Sequence, residues 1–139
     1  MVVMRRKLDE EFETIHNYIV QDGIIRKGAI SCNKNEKVLI PLNMADGSLI
    51  CIGKGNSDWN NSAPHGAGRA LSRTQAKDQL TMQEYKNQMK DIFSSCISTA
   101  TLDESPSAYK DSNEIIQAIA PTAEIIDHLK PLYNFKAKE

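Results

Sequence analysis

The chain has 139 residues and a formal net charge of −1, with 40% hydrophobic and 25% charged residues. This length allows one domain with a sizeable core, so we expect a single domain over residues 1–139. No apolar run approaches the roughly 20 residues of a membrane span, and the first residues show no signal-peptide pattern. We therefore expect a cytoplasmic protein without membrane contact. The balanced charge gives no overall attraction to nucleic acid, although Arg69, Arg73 and Lys77 form a local basic group that can meet phosphates.

The first half of the chain predicts a small sheet. Residues 8–19 place apolar side chains at helical spacings, but residues 15–20 are equally compatible with an extended segment. Between residues 24 and 52, short β-rich runs alternate with turn formers, and Asp46-Gly47 is a hairpin signal. Residues 53–66 are rich in Gly, Asn, Ser and Pro and lack periodicity, which predicts a loop.

The second half predicts helices. Residues 69–80 are typical of a first helix, and Thr81 with Glu84 forms a capping box that begins a second one. The predicted apolar face of this second helix consists of Tyr85, Met89, Ile92 and Phe93.

A third helix is predicted to begin at an N-cap, either Asp111 or Ser112, and its apolar stripe is Ile115, Ile116 and Ile119. Pro121 suits the first turn of a fourth helix, which would contain Ile125, Ile126 and Leu129 and end before Pro131. The last residues, 132–139, are expected to form a short strand or a tail. The fold class predicted is α+β, with a small, mostly antiparallel sheet flanked by helices.

Cys32, Cys51 and Cys96 share neither a CxxC nor a zinc-type spacing. In a reducing compartment they would be free thiols. We interpret them as small buried hydrophobic side chains rather than as groups for chemistry.

The sequence NSAPHGAGRALSR (61–73) combines the features of a phosphate site. Gly66 and Gly68 would let backbone amides approach an anion, and a helix beginning just beyond would direct its free N–H groups to the same place. His65 would then be a base, a metal ligand or a nucleophile, and Arg69 would bridge phosphate oxygens. The alternative is a plain turn whose glycines satisfy backbone angles and in which His65 is an ordinary, partly buried side chain.

Six short segments of the sequence, taken in chain order, decide between the phosphate site and the plain turn. Together they resemble the carboxy-terminal third of the RtcB family of RNA-splicing ligases. The blocks are HNYI (16–19), RKGAI (26–30), IPLNM (40–44), SAPHGAGRALSRTQAK (62–77), DESPSAYKD (103–111) and NFKA (134–137). The resemblance implies a fragment of the larger RtcB-type fold, without the amino-terminal region that holds most metal ligands.

The resemblance implies a GTP-dependent RNA ligase that requires manganese (Mn²⁺) and acts in RNA repair or tRNA splicing. Such an enzyme joins an RNA 3′-phosphate or 2′,3′-cyclic phosphate to a 5′-hydroxyl through a histidine-guanylate. His65 matches the nucleophile, His16 a manganese ligand, and Arg69 a group that neutralises charge. The GTP- or GMP-binding positions implied are His16, Asn17, Pro41, Leu42, Asn43, Met44, Ser48, His65, Gly66, Ala67, Gly68, Arg69, Tyr109 and Lys136.

The chain departs from the family pattern at Leu42 and Asn43, and Pro64 before His65 is also not the commonest family residue. Leu42 and Asn43 replace the glycine and serine of a common Pro-Gly-Ser-Met sequence. Leu42 forbids the positive φ that glycine adopts cheaply, whereas Asn43 can still donate a hydrogen bond. His128 matches no functional position, and we expect it on the surface.

His16 is the one metal ligand of the recognised set in this chain, whereas manganese requires several. We therefore expect the chain alone to be inactive. Its expected partners are RNA (tRNA halves or broken RNA), GTP, and either a separate amino-terminal half or another copy of itself, held through exposed apolar residues of KVLIPL or LICI. The alternative function is a non-catalytic, guanine-nucleotide- or RNA-binding remnant of the family.

Overall fold

The computed structural model describes residues 11–20 and 23–135. The first half of the chain is extended and the second half mixes short helices with strands. The strands are β1 (His16–Ile19), β2 (Ile25–Ser31), β3 (Lys37–Pro41), β4 (Ser48–Gly53), β5 (Ser62–Pro64), β6 (Phe93–Ser94), β7 (Ala123–Leu129) and β8 (Tyr133–Asn134). The α-helices are α1 (Arg73–Gln79), α2 (Met82–Gln88) and α3 (Ser112–Ile119), and 3₁₀ turns span Ser57–Trp59, Thr99–Glu104 and Pro106–Ala108.

The strands form two antiparallel sheets of three strands, in the orders β1-β2-β5 and β3-β4-β7, and β6 pairs with β8 in parallel. Because these small sheets are flanked by a few short helices, the predicted α+β class is confirmed. The hairpin at Asp46-Gly47 is also confirmed, since it joins β3 to β4 and Gly47 has a φ of +81°. No helix among the described residues is long and apolar enough to cross a membrane.

The main core lies against the β3-β4-β7 sheet. Val38, Ile40, Leu49 and Cys51 alternate inwards on β3 and β4 and are almost fully buried. Helix α3 covers them with its apolar stripe. The expectation that apolar residues of KVLIPL or LICI are exposed is therefore wrong, because the fold itself buries most of them and leaves Leu39 and Ile50 half-buried.

Helices α2 and α3 begin directly after N-cap residues that the sequence predicts. The Thr81 hydroxyl accepts from the Glu84 amide, while the Glu84 carboxylate accepts from the Thr81 hydroxyl and amide. These hydrogen bonds hold the pKa of Glu84 below its usual value. Asp111 caps α3, as one of the two predicted alternatives. Met44, Tyr85, Met89 and Leu102 form a second buried cluster beside α2.

Several predictions from periodicity are wrong. The fourth helix is strand β7, because pairing with β4 outweighs the helical spacing of its isoleucines. For residues 15–20, where helix and extended segment were both open, the extended alternative is confirmed by strand β1, and residue 8 lies outside the described part of the chain. Phe93 belongs to β6 and is 71% exposed, so it does not extend the buried face of α2. The predicted loop 53–66 contains a 3₁₀ turn and β5.

The three cysteines are free thiols, as expected. Cys32 and Cys51 are fully buried, whereas Cys96 is half-buried. Burial raises the pKa of the Cys51 thiol to about 11 and also raises that of Cys32, so both stay protonated at neutral pH. The interpretation as small core side chains holds for these two.

Candidate functional site

A cavity of about 510 Å³ opens where the β3–β4 turn meets the segment that follows β5. It gathers most of the predicted nucleotide-binding residues from three separate parts of the chain. Those lining it are Pro41, Leu42, Asn43, Met44, Ser48, His65, Gly66, Ala67, Gly68, Arg69 and Tyr109. His16 and Asn17 do not line it, and Lys136 lies outside the described residues.

The cavity has two sides. We call residues 65–69 with Tyr109 the histidine wall, and residues 41–48 with 129–131 the sheet wall. The walls meet at Pro41, whose carbonyl accepts a hydrogen bond of 3.0 Å from the Ala67 amide. A Cβ on Gly66 would lie 3.0 Å from the same carbonyl, so this close approach favours glycine there.

His65 follows β5 and is held by its backbone. Its amide donates to the Gly28 carbonyl at 3.3 Å, and Gly28 adopts a φ of +67° beside the imidazole. The Nδ1 atom of His65 is buried and has no hydrogen-bond partner among the described residues. The ring edge that carries Nδ1 therefore faces protein, while His65 itself lines the cavity.

His16 and Asn17 lie behind His65 on the edge strand β1. The His16 ring stacks on the His65 ring, with centroids 4.9 Å apart and an interplanar angle of 18°. Asn17 sits at an irregularity in the β1–β2 pairing with a φ of 58°, and its Oδ1 accepts from the Gly28 amide at 2.8 Å. Asn17 thus fixes the backbone on which His65 rests.

The predicted helix just beyond the glycine turn begins later than expected. Helix α1 starts at Arg73, and its N-cap Ser72 accepts from the Gln75 amide. Four residues, 69–72, separate the turn from the helix, so the prediction that a helix start immediately after the turn faces a phosphate is wrong. Gly68, with a φ of +70°, allows the chain to turn here.

Arg69 is engaged within the protein. Its Nε donates to the Leu71 carbonyl, Nη2 donates to the Asp103 carbonyl, and Nη1 pairs with Glu104 at 3.5 Å. The guanidinium also lies over the ring of Tyr109, 5.3 Å from its centroid. Arg69 therefore contributes a fixed and partly neutralised positive charge to the cavity.

Tyr109 forms a polar cluster with Arg69 and Glu104. Its hydroxyl donates to Glu104 at 2.7 Å. Desolvation by burial, followed by the hydrogen bond and charge of Glu104, raises the pKa of Tyr109 to about 12. The hydroxyl is therefore protonated at neutral pH.

The neighbouring Arg73 and Lys77 face the buried carboxylate of Asp103, at 3.9 and 3.7 Å. This carboxylate balances part of the predicted local basic group. The group is thus weaker as a phosphate-binding surface than its sequence suggests.

Leu42 and Asn43, which depart from the family pattern, both lie in the sheet wall. Leu42 is buried and its φ is not positive, because the positive φ of this turn falls on Gly47. The Asn43 Oδ1 accepts from the amides of Ala45 and Asp46, and its Nδ2 donates to the Asp46 carboxylate at 2.7 Å. Asn43 thus stabilises the turn and has one amide N–H left for a ligand.

Sequence reasoning missed Gly47, Leu129, Lys130, Pro131 and Asn134, which also line the cavity. Four of them come from the end of the misassigned helix and from the segment that follows it. In the sequence, the hairpin glycine Gly47 was the one available signal for these lining residues. A Cβ on Gly47 would lie 2.0 Å from the Leu129 carbonyl oxygen, so the turn packs directly on the end of β7.

His128 is exposed on β7, as expected for a surface residue, and its Nε2 lies 2.6 Å from the Asp46 carbonyl oxygen.

The lining favours an anionic ligand. Arg69 and Lys130 are the charged lining residues, and no carboxylate lines the cavity in the part of the chain that the structure describes. The donor side chains that a metal site needs are incomplete. Within residues 11–20 and 23–135, no three His, Cys, Asp or Glu side chains come together to hold an ion.

A family model described as tRNA-splicing ligase RtcB matches residues 2–137. The chain belongs to the RtcB family. It is 33% identical to the RNA-splicing ligase RtcB of Escherichia coli K12 over 135 residues, which cover 91% of this chain and 33% of that protein.

The tRNA-splicing ligase RtcB of Aeropyrum pernix is 39% identical over 122 residues, 84% of this chain and 24% of that protein. The chain thus spans about a third or less of the length of these RtcB relatives.

Proposed function

We propose that the chain is the carboxy-terminal third of a GTP-dependent RNA ligase and provides its nucleotide pocket and its nucleophile, His65. One observation supports this most strongly: three separate segments place most of the matched residues around one cavity, which His65 also lines. Relatives named RNA-splicing and tRNA-splicing ligases support RNA as the substrate class. We place the protein in the cytoplasm, where its three thiols stay free.

The nucleophilic atom in this proposal is Nε2 of His65. Nδ1 is buried against protein and cannot reach a ligand, which leaves Nε2 as the atom that faces the cavity. In this proposal the neutral imidazole carries its proton on Nδ1 and attacks with the Nε2 lone pair. That lone pair attacks the α-phosphorus of GTP, the bond to the bridging oxygen breaks, and pyrophosphate leaves. The product is a histidine-guanylate.

The guanylate is then transferred. An oxygen of the RNA 3′-phosphate attacks the guanylate phosphorus and the nitrogen–phosphorus bond breaks, which frees His65. The 5′-hydroxyl of the other RNA end attacks the activated 3′-phosphorus, loses its proton to solvent and displaces GMP. Arg69, held by Glu104 and Tyr109, provides a fixed positive charge beside these phosphates.

Manganese is part of the proposal, with His16 as one ligand. The described residues do not fit a complete site, because they bring no three donor side chains together. The remaining ligands must come from another segment or polypeptide. The bound ion would supply charge neutralisation for the triphosphate.

The incomplete donor set also favours a second candidate for the chain by itself. A guanine-nucleotide- or RNA-binding remnant needs the cavity but no metal centre. It predicts that the 139-residue chain binds nucleotide and shows no manganese-dependent self-guanylylation under any reconstitution.

The test is to combine the chain with the first two thirds of the Escherichia coli relative, labelled GTP and manganese. We expect covalent label on the chain, and none on His65→Ala. His128→Ala is the matched control, because this exposed histidine lies on β7 outside the cavity lining. Label on His65→Ala would refute the nucleophile, and no label on either chain would favour the remnant.

A further inference from the structure

A carboxylate, that of Glu104, lies behind the histidine wall at the end of the 3₁₀ turn Thr99–Glu104. Its Oε1 lies 3.5 Å from Nη1 of Arg69, and its Oε2 accepts from the Tyr109 hydroxyl. Glu104 does not line the cavity, whereas Arg69 and Tyr109 do. Glu104 is therefore placed to act on a ligand through these two residues, without touching it.

Arg69 presents part of its guanidinium to the cavity. An arginine has five N–H donors, and those of Nε and Nη2 include one to the Leu71 carbonyl and one to the Asp103 carbonyl. The Tyr109 ring covers one face of the group, and the side chain is 26% exposed. The remaining N–H groups thus meet a phosphate oxygen from a fixed position.

This position of Arg69 has supports other than Glu104. Two backbone carbonyls hold the guanidinium, and Arg69 also forms an antiparallel backbone bridge with Tyr109. The contribution of Glu104 that these neutral contacts cannot supply is a negative charge. Because its side chain is only 18% exposed, water screens this charge incompletely. Glu104 therefore cancels much of the positive potential that Arg69 directs into the cavity.

We propose that Glu104 lowers the affinity of the cavity for phosphate groups by neutralising Arg69, so that phosphate products leave. An unopposed arginine binds phosphate strongly through charge-assisted hydrogen bonds. Binding that is equally tight before and after the reaction does not accelerate the reaction, and it delays release. The inference rests on the proposed function in taking these phosphates to be those of GTP and its products.

The experiment measures the affinity of the 139-residue chain for inorganic pyrophosphate by NMR titration, followed at the amides of Gly66 and Gly68. Glu104→Gln removes the charge and keeps the size of the side chain. We expect this variant to bind pyrophosphate about three- to tenfold more tightly at low salt, with a smaller gain as the salt concentration rises.

Glu124→Gln is the matched control, because it makes the same change in net charge. Glu124 is exposed and pairs with Ile52, at the opposite end of β7 from the lining residue Leu129. Its variant should bind pyrophosphate as the unmodified chain does. An equal gain in both variants would overturn the proposal in favour of a net-charge effect.

The sign of the change separates charge from structure. If Glu104 only holds Arg69 in place, Glu104→Gln binds pyrophosphate more weakly or equally, and the proposal is overturned. The route through Arg69 is tested by a double-mutant cycle, in which the gain should disappear when Arg69→Gln is also present. A gain that persists without Arg69 would overturn the proposal, as would a folded chain whose amides do not respond to pyrophosphate. If Glu104→Gln does not fold, Glu104→Met, which is neutral and of similar length, takes its place in the series.

The two proposals fail separately, because labelling of His65 needs the reconstituted ligase and pyrophosphate binding needs only the chain. Absence of label together with tighter pyrophosphate binding by Glu104→Gln would refute the proposed function alone. Label on His65 together with weaker pyrophosphate binding by this variant would refute the role of Glu104 alone.

Discussion

The two walls of the cavity are built by different means. The sheet wall belongs to the β3-β4-β7 sheet, where Ile40 and Leu49 are buried and the turn packs on the Leu129 backbone. The histidine wall follows the β1-β2-β5 sheet, where Ile19 and Ile25 are 70% and 72% exposed. Its geometry depends on hydrogen bonds and positive φ angles instead of burial. The proposed nucleophile thus lies on the less densely packed side.

This difference fits the division of roles that we propose. Nucleotide binding needs a rigid surface, which close backbone packing provides. The histidine must bind, react and release, and it retains a buried Nδ1 without a partner. An unsatisfied buried group is costly, and such groups are most common where function requires them.

The largest effect should come from Gly47→Ala. The new Cβ would lie 2.0 Å from the Leu129 carbonyl oxygen, and the turn cannot move without separating from β7. We expect a loss of about 3 kcal/mol or more in the free energy of unfolding, measured by urea denaturation. The matched control is Gly23→Ala, because Gly23 has nearly the same φ, +80°, and nothing within 4 Å. It should cost only about 1 kcal/mol. Equal losses would show that φ alone matters and that the sheet wall is not closely packed.

A second pair of substitutions compares the two sheets directly. Ile40 is fully buried in β3, whereas Ile25 in β2 is 72% exposed. Ile40→Ala should cost about 2–4 kcal/mol through a cavity in the core, and Ile25→Ala less than about 0.5 kcal/mol. Calorimetric unfolding of both variants checks this. A large loss from Ile25→Ala would show that the β1-β2-β5 sheet is covered in solution, for instance by a second copy of the chain.

The sequence predicts part of this arrangement because some of its signals are local. The Thr81–Glu84 capping box and the Asp46-Gly47 turn depend on residues within one short segment, and both are confirmed. The resemblance of ordered blocks located most of the cavity lining. Local signals and blocks therefore sufficed for the turn and for the surroundings of His65.

The missed features depend on distant contacts. Strand β7 exposes all but the first of its residues, so it shows no alternation that would distinguish it from a helix. Its pairing with β4 brings Lys130 into the cavity, and no local pattern encodes that pairing. Likewise, Glu104 engages Arg69 from a separate 3₁₀ turn, so the sequence could not show that Arg69 is partly neutralised.

The histidine wall can be probed through Asn17. Asn17→Ala removes the hydrogen bond to the Gly28 amide and leaves an alanine at a φ of 58°. We expect a loss of about 1–2 kcal/mol and altered NMR shifts of the His65 ring. Asn17→Gly is the matched variant, since it loses only the hydrogen bond and should cost less. If Asn17→Ala leaves the His65 shifts unchanged, Asn17 does not position the histidine.

The smallest effect should appear at high pH and only on the histidine wall. The pKa of Tyr109 is raised to about 12 in the folded protein, chiefly by burial and then by Glu104, whereas an unfolded tyrosine titrates near 10. Between these values the folded state binds more protons than the unfolded state, so stability falls as pH rises through this window and is fully retained below it.

Tyr109→Phe removes the titrating hydroxyl but keeps the ring beneath Arg69. We therefore expect the melting temperature of the unmodified chain to fall more steeply from pH 10 to pH 12 than that of Tyr109→Phe. Tyr85 and Cys51 also have raised pKa values, but they are common to both proteins and cancel in the difference. Identical slopes would mean that Tyr109 is not buried against Glu104 and that this wall is open to solvent.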